Sequence, residues 1–194
     1  MIAIIKYNGG NVSSVQNSLN RLNVESVVTD DFDLIRKADK VIFPGVGEAS
    51  STMKLLKEKG LDQLIPTLKQ PVLGVCLGMQ LMCKNNEEGN TVGMGIFDID
   101  VKKFPAKNIV PHMGWNTISD FKSGIFSGIE ENSDVYFVHS FYCELSDNTT
   151  SVCDYILPFS ASLQKDNFYA MQFHPEKSGD VGSRLLENFL KQYN

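Results

Sequence analysis

One cysteine lies where a nucleophile is expected. An apolar run from position 71 leads to Cys76, which has Gly74 before it and Gly78 after it, and helix-forming residues follow at once. Glycines at these two positions remove side chains where a tight strand-to-helix turn brings the two backbones together. Unpaired N–H groups and the helix dipole at the start of a helix favour the thiolate form of a cysteine. The pattern indicates a nucleophilic thiol, with a buried structural cysteine as the alternative for this motif alone.

A histidine and a glutamate near the C-terminus supply the groups that such a thiol requires. Pro175 favours an extended conformation at His174, and alternation along an extended segment turns His174 and Glu176 toward one face. A cysteine nucleophile needs a base, and the base needs a group that orients it. A polar strand end is the alternative for these residues alone. Together with the cysteine turn, they predict a catalytic triad.

The composition is typical of a compact enzyme. The chain has 194 residues, of which 42% are hydrophobic, so we expect one domain over residues 1–194. A formal charge of −5 without a dense Lys/Arg tract argues against a nucleic-acid partner. No apolar stretch approaches the length that spans a membrane, and the short run at 2–5 is interpreted as the first buried strand.

The cysteines indicate a reducing compartment. The four cysteines, at positions 76, 83, 143 and 153, form neither a C-x-x-C pair nor the ligand spacing of a zinc site. We therefore expect reduced thiols in the cytoplasm, no metal site and no cofactor.

Short apolar runs alternate with helical patterns in the first half of the chain, which is typical of a parallel α/β sheet. The second half has shorter β-type runs and a closing helix, and we expect antiparallel additions to the same central sheet. In a doubly wound sheet, functional groups gather at the carboxyl ends of the strands. We predict strands near 2–6, 24–28, 40–43, 71–75, 92–103, 109–118, 134–144, 152–157 and 168–173, and helices near 12–22, 51–59, 78–84 and 178–192.

These residues resemble a known family. The segment 74–80 with His174 and Glu176 resembles the class I (triad) glutamine amidotransferases, in which the cysteine attacks the side-chain amide of glutamine and releases ammonia. The resemblance covers essentially the whole chain. It implies L-glutamine as the substrate and a flavodoxin-like three-layer sandwich with a mixed, mainly parallel central sheet. Further matching segments lie at 7–11, 44–47, 111–116 and 136–140.

The segment 44–47 is assigned by this resemblance to oxyanion stabilisation. It implies that the backbone N–H groups of Gly45 and Val46, with that of Leu77, meet the charge that develops on the amide oxygen. Loss of one such donor typically slows a reaction about 10²- to 10³-fold. Because glycine is flexible, we hypothesise that the Gly45–Val46 peptide turns its N–H toward the site only in an activated complex. A plain tight turn is the alternative interpretation of the segment 44–47.

Glutamine also needs its amino-acid end recognised. The resemblance implies side-chain and backbone contacts to this end, although an ordinary strand end is the alternative for Ser140 and Phe141. The implied glutamine contacts are Gly47, Gln80, Ser140 and Phe141.

Two further histidines are expected to be structural or interfacial. Neither His112 nor His139 has a carboxylate spaced as Glu176 is from His174.

A partner protein is expected to use the ammonia. The assigned groups run from position 45 to position 176, which leaves no region for a second active site. The resemblance implies a heterodimer with a (β/α)8-barrel cyclase subunit of histidine biosynthesis. For Trp115, the alternative to an interface role is a core position, and for Lys177 it is a solvated cation. If its segment stays extended, Lys177 should point away from Glu176. The residues expected at the interface are Asn11, Trp115, Asn116 and Lys177.

The chain departs from the family at two positions. Lys6 stands where the opening strand often has an acidic residue, and Asn8 stands where glycine is common. This leaves open a paralogous subunit that supplies ammonia for an amidino-modified surface sugar. Two further alternatives are a stand-alone cysteine hydrolase, which would not explain the interface motifs, and a non-catalytic regulatory subunit, against which the intact set of Cys76, His174 and Glu176 argues.

Overall fold

The computed structural model describes residues 1–7 and 11–192. Positions 8–10, which belong to the matching segment 7–11, lie outside the described residues. The described strands are β1 (Ile2–Ile5), β2 (Ser26–Thr29), β3 (Lys40–Gly45), β4 (Val72–Cys76), β5 (Cys83–Asn86), β6 (Thr91–Val92), β7 (Phe97–Lys103), β8 (His112–Ile118), β9 (Ser133–His139), β10 (Phe141–Cys143), β11 (Thr149–Tyr155), β12 (Leu157–Lys165) and β13 (Phe168–Met171). The α-helices are α1 (Val12–Arg21), α2 (Phe32–Lys37), α3 (Ala49–Glu58), α4 (Leu61–Leu64), α5 (Leu77–Met82) and α6 (Gly179–Leu190).

The central layer is a seven-stranded sheet with the order β11-β12-β13-β4-β3-β1-β2. The strands β13, β4, β3, β1 and β2 are parallel to one another. The strands β12 and β11 extend the sheet antiparallel at one edge. The prediction of a mixed, mainly parallel sheet is therefore confirmed.

Helices cover both faces of this sheet. Every residue of β1, β3 and β4 is buried, as expected for parallel strands packed on two sides. Ile5 and Phe43 pack in a core that also contains residues of α3, α4 and α5. Their neighbours Ile4 and Ile42 pack in a second core with residues of α1 and α6. This alternation produces the predicted three-layer sandwich.

Two groups of strands lie outside the central sheet. The runs near 92–103, 109–118 and 134–144 were expected to extend it, and this prediction is wrong. They contribute instead to a four-stranded sheet, β10-β7-β5-β6, and to the hairpin β8-β9. Buried and more exposed residues alternate along β7 and β9, which is the pattern of strands covered on one face only.

The strand β12 was missed because its residues suggest a turn. Its sequence includes Pro158, Ser160 and Ser162. The buried hydroxyl groups are paired across the sheet: Ser160 Oγ lies 2.7 Å from Thr149 Oγ1, and Ser162 Oγ lies 2.8 Å from Thr150 Oγ1. Polar residues can occupy a buried strand when each finds such a partner.

Other local differences concern short elements. The helix predicted near 78–84 ends at Met82, and β5 begins at Cys83. The sequence did not predict α2, which begins after Asp31, whose side chain accepts a hydrogen bond of 2.9 Å from Leu34 N. In the part of the chain that the structure describes, no helix is long and apolar enough to cross a membrane.

Candidate active site

Cys76 lies on a strained turn between β4 and α5. Its backbone angles, φ 53° and ψ −111°, are rarely adopted by residues with a side chain and typically cost about 1–3 kcal/mol. Glycines surround the turn because the backbones touch there. A Cβ on Gly78 would lie 2.1 Å from Phe43 O, and a Cβ on Gly45 would lie 2.3 Å from Gly78 N. The structure therefore has the sharp strand-to-helix turn that the glycine spacing predicts.

His174 and Glu176 are joined by a buried hydrogen bond. His174 Nδ1 lies 2.8 Å from Glu176 Oε1, and the two side chains are 2% and 1% exposed. Asn11 Nδ2 donates to the same carboxylate oxygen at 3.3 Å. The expected extended segment is wrong, because Pro175–Lys177 forms a 3-10 turn. The two side chains meet across this turn and not by strand alternation.

The electrostatics of His174 favour its protonated form. Burial lowers the pKa of His174, but hydrogen bonds and charge interactions with Cys76 and Glu176 outweigh it and raise the pKa to about 10. Among the described residues, the other ring nitrogen, Nε2, has no hydrogen-bond partner that meets standard geometry, and neither has Glu176 Oε2. Nε2 is thus free to exchange a proton with a group in the adjoining cavity.

A cavity of about 210 Å³ adjoins the thiol. Of the residues expected to contact glutamine, Gly47 and Gln80 line this cavity, whereas Ser140 and Phe141 do not. Val138 and His139, which the sequence did not suggest for the site, also line it. A larger cavity of about 570 Å³, near the start of β1, β3 and β4, is lined by none of the triad residues. The 210 Å³ cavity is lined by Val46, Gly47, Cys76, Leu77, Gln80, Val138, His139 and His174.

The side-chain amide of Gln80 is largely committed to the protein. Its Nε2 donates to Phe141 O and to Gln172 Oε1, each at 3.0 Å. Its Oε1 accepts from Asn86 Nδ2 at 3.3 Å. Since an amide has two N–H donors and an oxygen with two lone pairs, Gln80 can offer a ligand only an acceptor.

The end of β3 is held by a buried tyrosine. The hydroxyl of Tyr7 donates to Pro44 O at 2.7 Å. Burial raises the pKa of Tyr7, and a backbone hydrogen bond from Val46 partly offsets this effect. Gly47 follows with φ +103°, which favours glycine.

His112 and His139 form a hydrogen-bonded pair near the cavity. His139 Nδ1 donates to Phe141 O at 2.7 Å, so its Nε2 accepts from His112 Nδ1 at 3.0 Å. Asn116 Nδ2 lies 3.2 Å from His112 Nε2 and completes the chain. Burial lowers the pKa of His112 to about 4 and that of His139 to about 3. Both rings are therefore neutral at pH 7.

An apolar patch lies on the outer side of β8. Trp115 is 57% exposed and Met113 is 63% exposed, which rules out the core alternative for Trp115. The Trp115 and Tyr136 rings lie 6.1 Å apart, and Lys177 Nζ lies 5.9 Å from the Tyr136 ring. We call Met113, Trp115, Tyr136 and Lys177 the tryptophan patch.

The fold and this site agree with a family comparison. The family model described as glutamine amidotransferase class-I matches residues 4–193. The chain therefore belongs to the class I glutamine amidotransferases.

Curated relatives narrow the assignment. A protein of Bacteroides fragilis named imidazole glycerol phosphate synthase subunit HisH is 60% identical over 193 residues, covering 98% of each chain. The Bacteroides thetaiotaomicron protein of the same name is 59% identical, covering 97% of this chain and 98% of its own length. Within its family, the chain thus belongs with the HisH subunits of imidazole glycerol phosphate synthase.

Solved structures agree on the fold. A putative GMP synthase component from Thermoplasma acidophilum aligns with a TM-score of 0.74 at 20% identity, covering 97% of this chain and 91% of its own. A structure described as a glutamine amidotransferase aligns with a TM-score of 0.75 at 17% identity, covering 98% of each chain. The predicted fold class is confirmed.

Proposed function

We propose that this protein hydrolyses L-glutamine to glutamate and ammonia and delivers the ammonia to a partner that makes imidazole glycerol phosphate. The observation that carries the chemistry is the placement of Cys76 and His174 on one cavity, with Glu176 bonded to the histidine. A thiol, a base and a carboxylate in this relation support acyl transfer through a covalent intermediate.

The first half-reaction releases ammonia. With the Cys76 proton already on His174 Nε2, the thiolate sulfur attacks the side-chain amide carbon of glutamine. The resulting tetrahedral intermediate carries its negative charge on the former carbonyl oxygen. His174 then gives its proton to the nitrogen, the C–N bond breaks, and ammonia leaves behind a γ-glutamyl thioester.

The second half-reaction restores the enzyme. His174 takes a proton from water as the water attacks the thioester carbon. The C–S bond breaks, glutamate leaves, and His174 returns its proton to the sulfur. Glu176 stabilises the imidazolium in both halves because it accepts the hydrogen bond from Nδ1.

The negative oxygen requires donors. We assign these to the backbone N–H groups of Leu77, at the start of α5, and of Gly45 and Val46. Because glycine gives the Gly45–Val46 peptide freedom to turn, we propose that the Val46 donor faces the site only after this peptide has turned. The proposed set is therefore completed in an activated complex, which would limit wasteful hydrolysis.

Recognition of glutamine follows from the remaining hydrogen-bonding capacity. Gln80 Oε1 can accept from the α-ammonium group, since its own N–H groups are used by Phe141 O and Gln172. Gly47 allows the substrate to approach the backbone closely. Phe141 acts from behind the cavity wall, because its carbonyl holds Gln80 and His139 in place, whereas Ser140 O accepts from Phe104 N at 3.1 Å.

The partner we propose is the (β/α)8-barrel cyclase, in a heterodimer in the cytoplasm. The tryptophan patch supplies an exposed aromatic anchor and a cation. Asn116 touches His112, and Asn11 touches Glu176, so both amides connect the proposed docking side with the site. Ammonia passed directly to a partner avoids protonation in water.

Measuring glutaminase activity with and without purified cyclase tests this proposal. We expect strong stimulation by the cyclase. Equal activity under both conditions would indicate a stand-alone hydrolase, and no activity under either condition would indicate a regulatory subunit. Stimulation only by a barrel of the amidino-sugar pathway would identify the paralogous subunit.

A further inference from the structure

A chain of three buried side-chain amides ends at the Cys76 sulfur. Asn86 Nδ2 donates to Gln80 Oε1 at 3.3 Å, and Gln80 Nε2 donates to Gln172 Oε1 at 3.0 Å. Gln172 Nε2 then lies 3.7 Å from Cys76 Sγ. Asn86, Gln80 and Gln172 are only 2%, 4% and 0% exposed. We call these three residues the amide chain.

Backbone groups at two points fix the direction of the amide chain. Phe141 O can only accept, so the end of Gln80 that faces it must be the NH₂ group. The backbone N–H of Glu88 can only donate, and it bonds to Asn86 Oδ1 at 2.8 Å. Reversing the amides would place oxygen against oxygen at Phe141 and N–H against N–H at Glu88. The contacts with Phe141 and with Glu88 therefore both require the observed orientation.

The fixed direction leaves Gln172 a single role at the sulfur. Its Oε1 is used by Gln80, so the group that faces Cys76 is the NH₂ group, a donor without acceptor capacity. We propose that Gln172 donates a hydrogen bond to the Cys76 thiolate and that Gln80 and Asn86 are positioning residues that hold it there. This inference rests on the proposed function, in which the thiolate attacks glutamine and later leaves the thioester.

A donor at this place stabilises sulfur when it is charged more than when it is neutral. Hydrogen bonds to ionised groups are stronger than those between neutral groups. Gln172 therefore favours thiolate before attack and thiolate as the leaving group in the second half-reaction. Gln172 lies two residues before His174, so one short segment of the chain brings both the donor and the base to the sulfur.

The amide chain also connects Cys76 with the loop that contains Glu88, because Asn86 at its far end accepts from Glu88 N. The Glu88 carboxylate accepts from Ala49 N at 2.8 Å, at the start of α3. A shift of the Glu88 loop would alter Asn86 and, through Gln80, the group that donates to sulfur. The amide chain thus positions a hydrogen-bond donor at the Cys76 sulfur independently of His174.

The test measures the rate of Cys76 alkylation by iodoacetamide as a function of pH, with the modified peptide identified by mass spectrometry. Methionine has nearly the shape of glutamine but cannot donate. For Gln172→Met we expect the midpoint of the pH profile to rise by about one unit, so that alkylation is about tenfold slower at pH values well below both midpoints. Gln164→Met, on β12 with its side chain bonded to Ser123, is the matched control and should leave the profile unchanged.

A second variant decides the question if Gln172→Met does not fold. Asn86→Leu removes the donor to Gln80 Oε1 and should move the midpoint in the same direction by a smaller amount. Asn85→Leu is its control, because Asn85 is exposed and bonds Asp100 instead. An unchanged midpoint in folded Gln172→Met, or in Asn86→Leu if only that variant folds, would overturn the proposal. Because alkylation needs no glutamine, this result is independent of whether the protein proves to be a glutaminase.

Discussion

The strained backbone of Cys76 and the glycines around it both result from the sharp turn between β4 and α5. The positive φ turns the sulfur out of β4 into the cavity, and Gly45 and Gly78 permit the close backbone contact that such a turn requires. The same residue is approached by His174, whose protonated form is favoured, and by the donor Gln172. The sulfur thus lies close to the base and to an N–H donor.

Glu176→Gln tests the role of the carboxylate. The amide can occupy the same space but cannot stabilise imidazolium, and it favours a different arrangement of protons on His174. We expect kcat to fall at least about 10²-fold while the protein remains folded. Steady-state glutaminase assays in the presence of cyclase measure this effect, and an unchanged kcat would remove Glu176 from the triad.

Residue types and spacing were sufficient to single out Cys76, His174 and Glu176 as a group, and the structure places Cys76 and His174 on one cavity with Glu176 bonded to His174. The reason given for the histidine and glutamate was wrong, since they meet across a 3-10 turn. Gln172 and His139 were not assigned to the site. Their roles depend on partners such as Gln80 and Phe141 that are far away in sequence, although the position of Gln172 just before the His-Pro-Glu segment was an available signal.

At the scale of elements, hydrophobic runs identified the strands that are buried on both faces. These are the strands that end at the site, so the fold around Cys76 could be predicted. The strand β12 could not, because its serines gain their partners only from β11. The strands of the two small sheets were wrongly assigned to the central sheet, because burial on one face of a strand does not specify which layer covers that face.

Gly78→Ala tests the contact between β3 and α5. The new Cβ would meet the Phe43 carbonyl, which belongs to a central strand and has little freedom to move. We expect the free energy of unfolding to fall by about 1–3 kcal/mol in urea titrations. Gly124→Ala is the control, because no atom lies within 4 Å of its Cβ position, and it should change stability by less than about 0.5 kcal/mol. Equal stability of the two variants would contradict this account of the turn.

For the whole molecule, the three histidines predict opposite effects of pH on stability. The pKa values of His112 and His139 are lowered to about 4 and 3, so the unfolded chain binds more protons as pH falls below 6.5. Stability should therefore decrease from pH 6.5 to pH 5. The pKa of His174 is raised to about 10, so its contribution is complete below pH 6.5 and declines as pH rises from there.

Urea titrations between pH 5 and pH 8 measure both slopes. His174→Asn should remove the decline above pH 6.5 and keep the decline below it. A free energy of unfolding that is constant from pH 5 to pH 6.5 would contradict the assignment of neutral, buried rings to His112 and His139.

The tryptophan patch predicts where a partner binds. Trp115 is a large exposed aromatic group near the Tyr136 ring, and such residues often contribute about 2 kcal/mol or more to binding. For Trp115→Ala we expect the Kd for the cyclase, measured by calorimetry, to rise by about thirtyfold or more. Val92→Ala, at an exposed position on β6, should leave the Kd unchanged. Unchanged binding by Trp115→Ala would place the interface elsewhere.

The central claim is that Cys76 produces ammonia for a partner, and Cys76→Ala in complex with the cyclase tests it most directly. Formation of imidazole glycerol phosphate is measured with glutamine and, separately, with an ammonium salt as the nitrogen source. We expect synthesis from glutamine to be abolished and synthesis from ammonium to be retained. Persistent synthesis from glutamine would show that Cys76 does not produce the ammonia, and loss of both activities would mean that Cys76 serves assembly of the complex instead of catalysis.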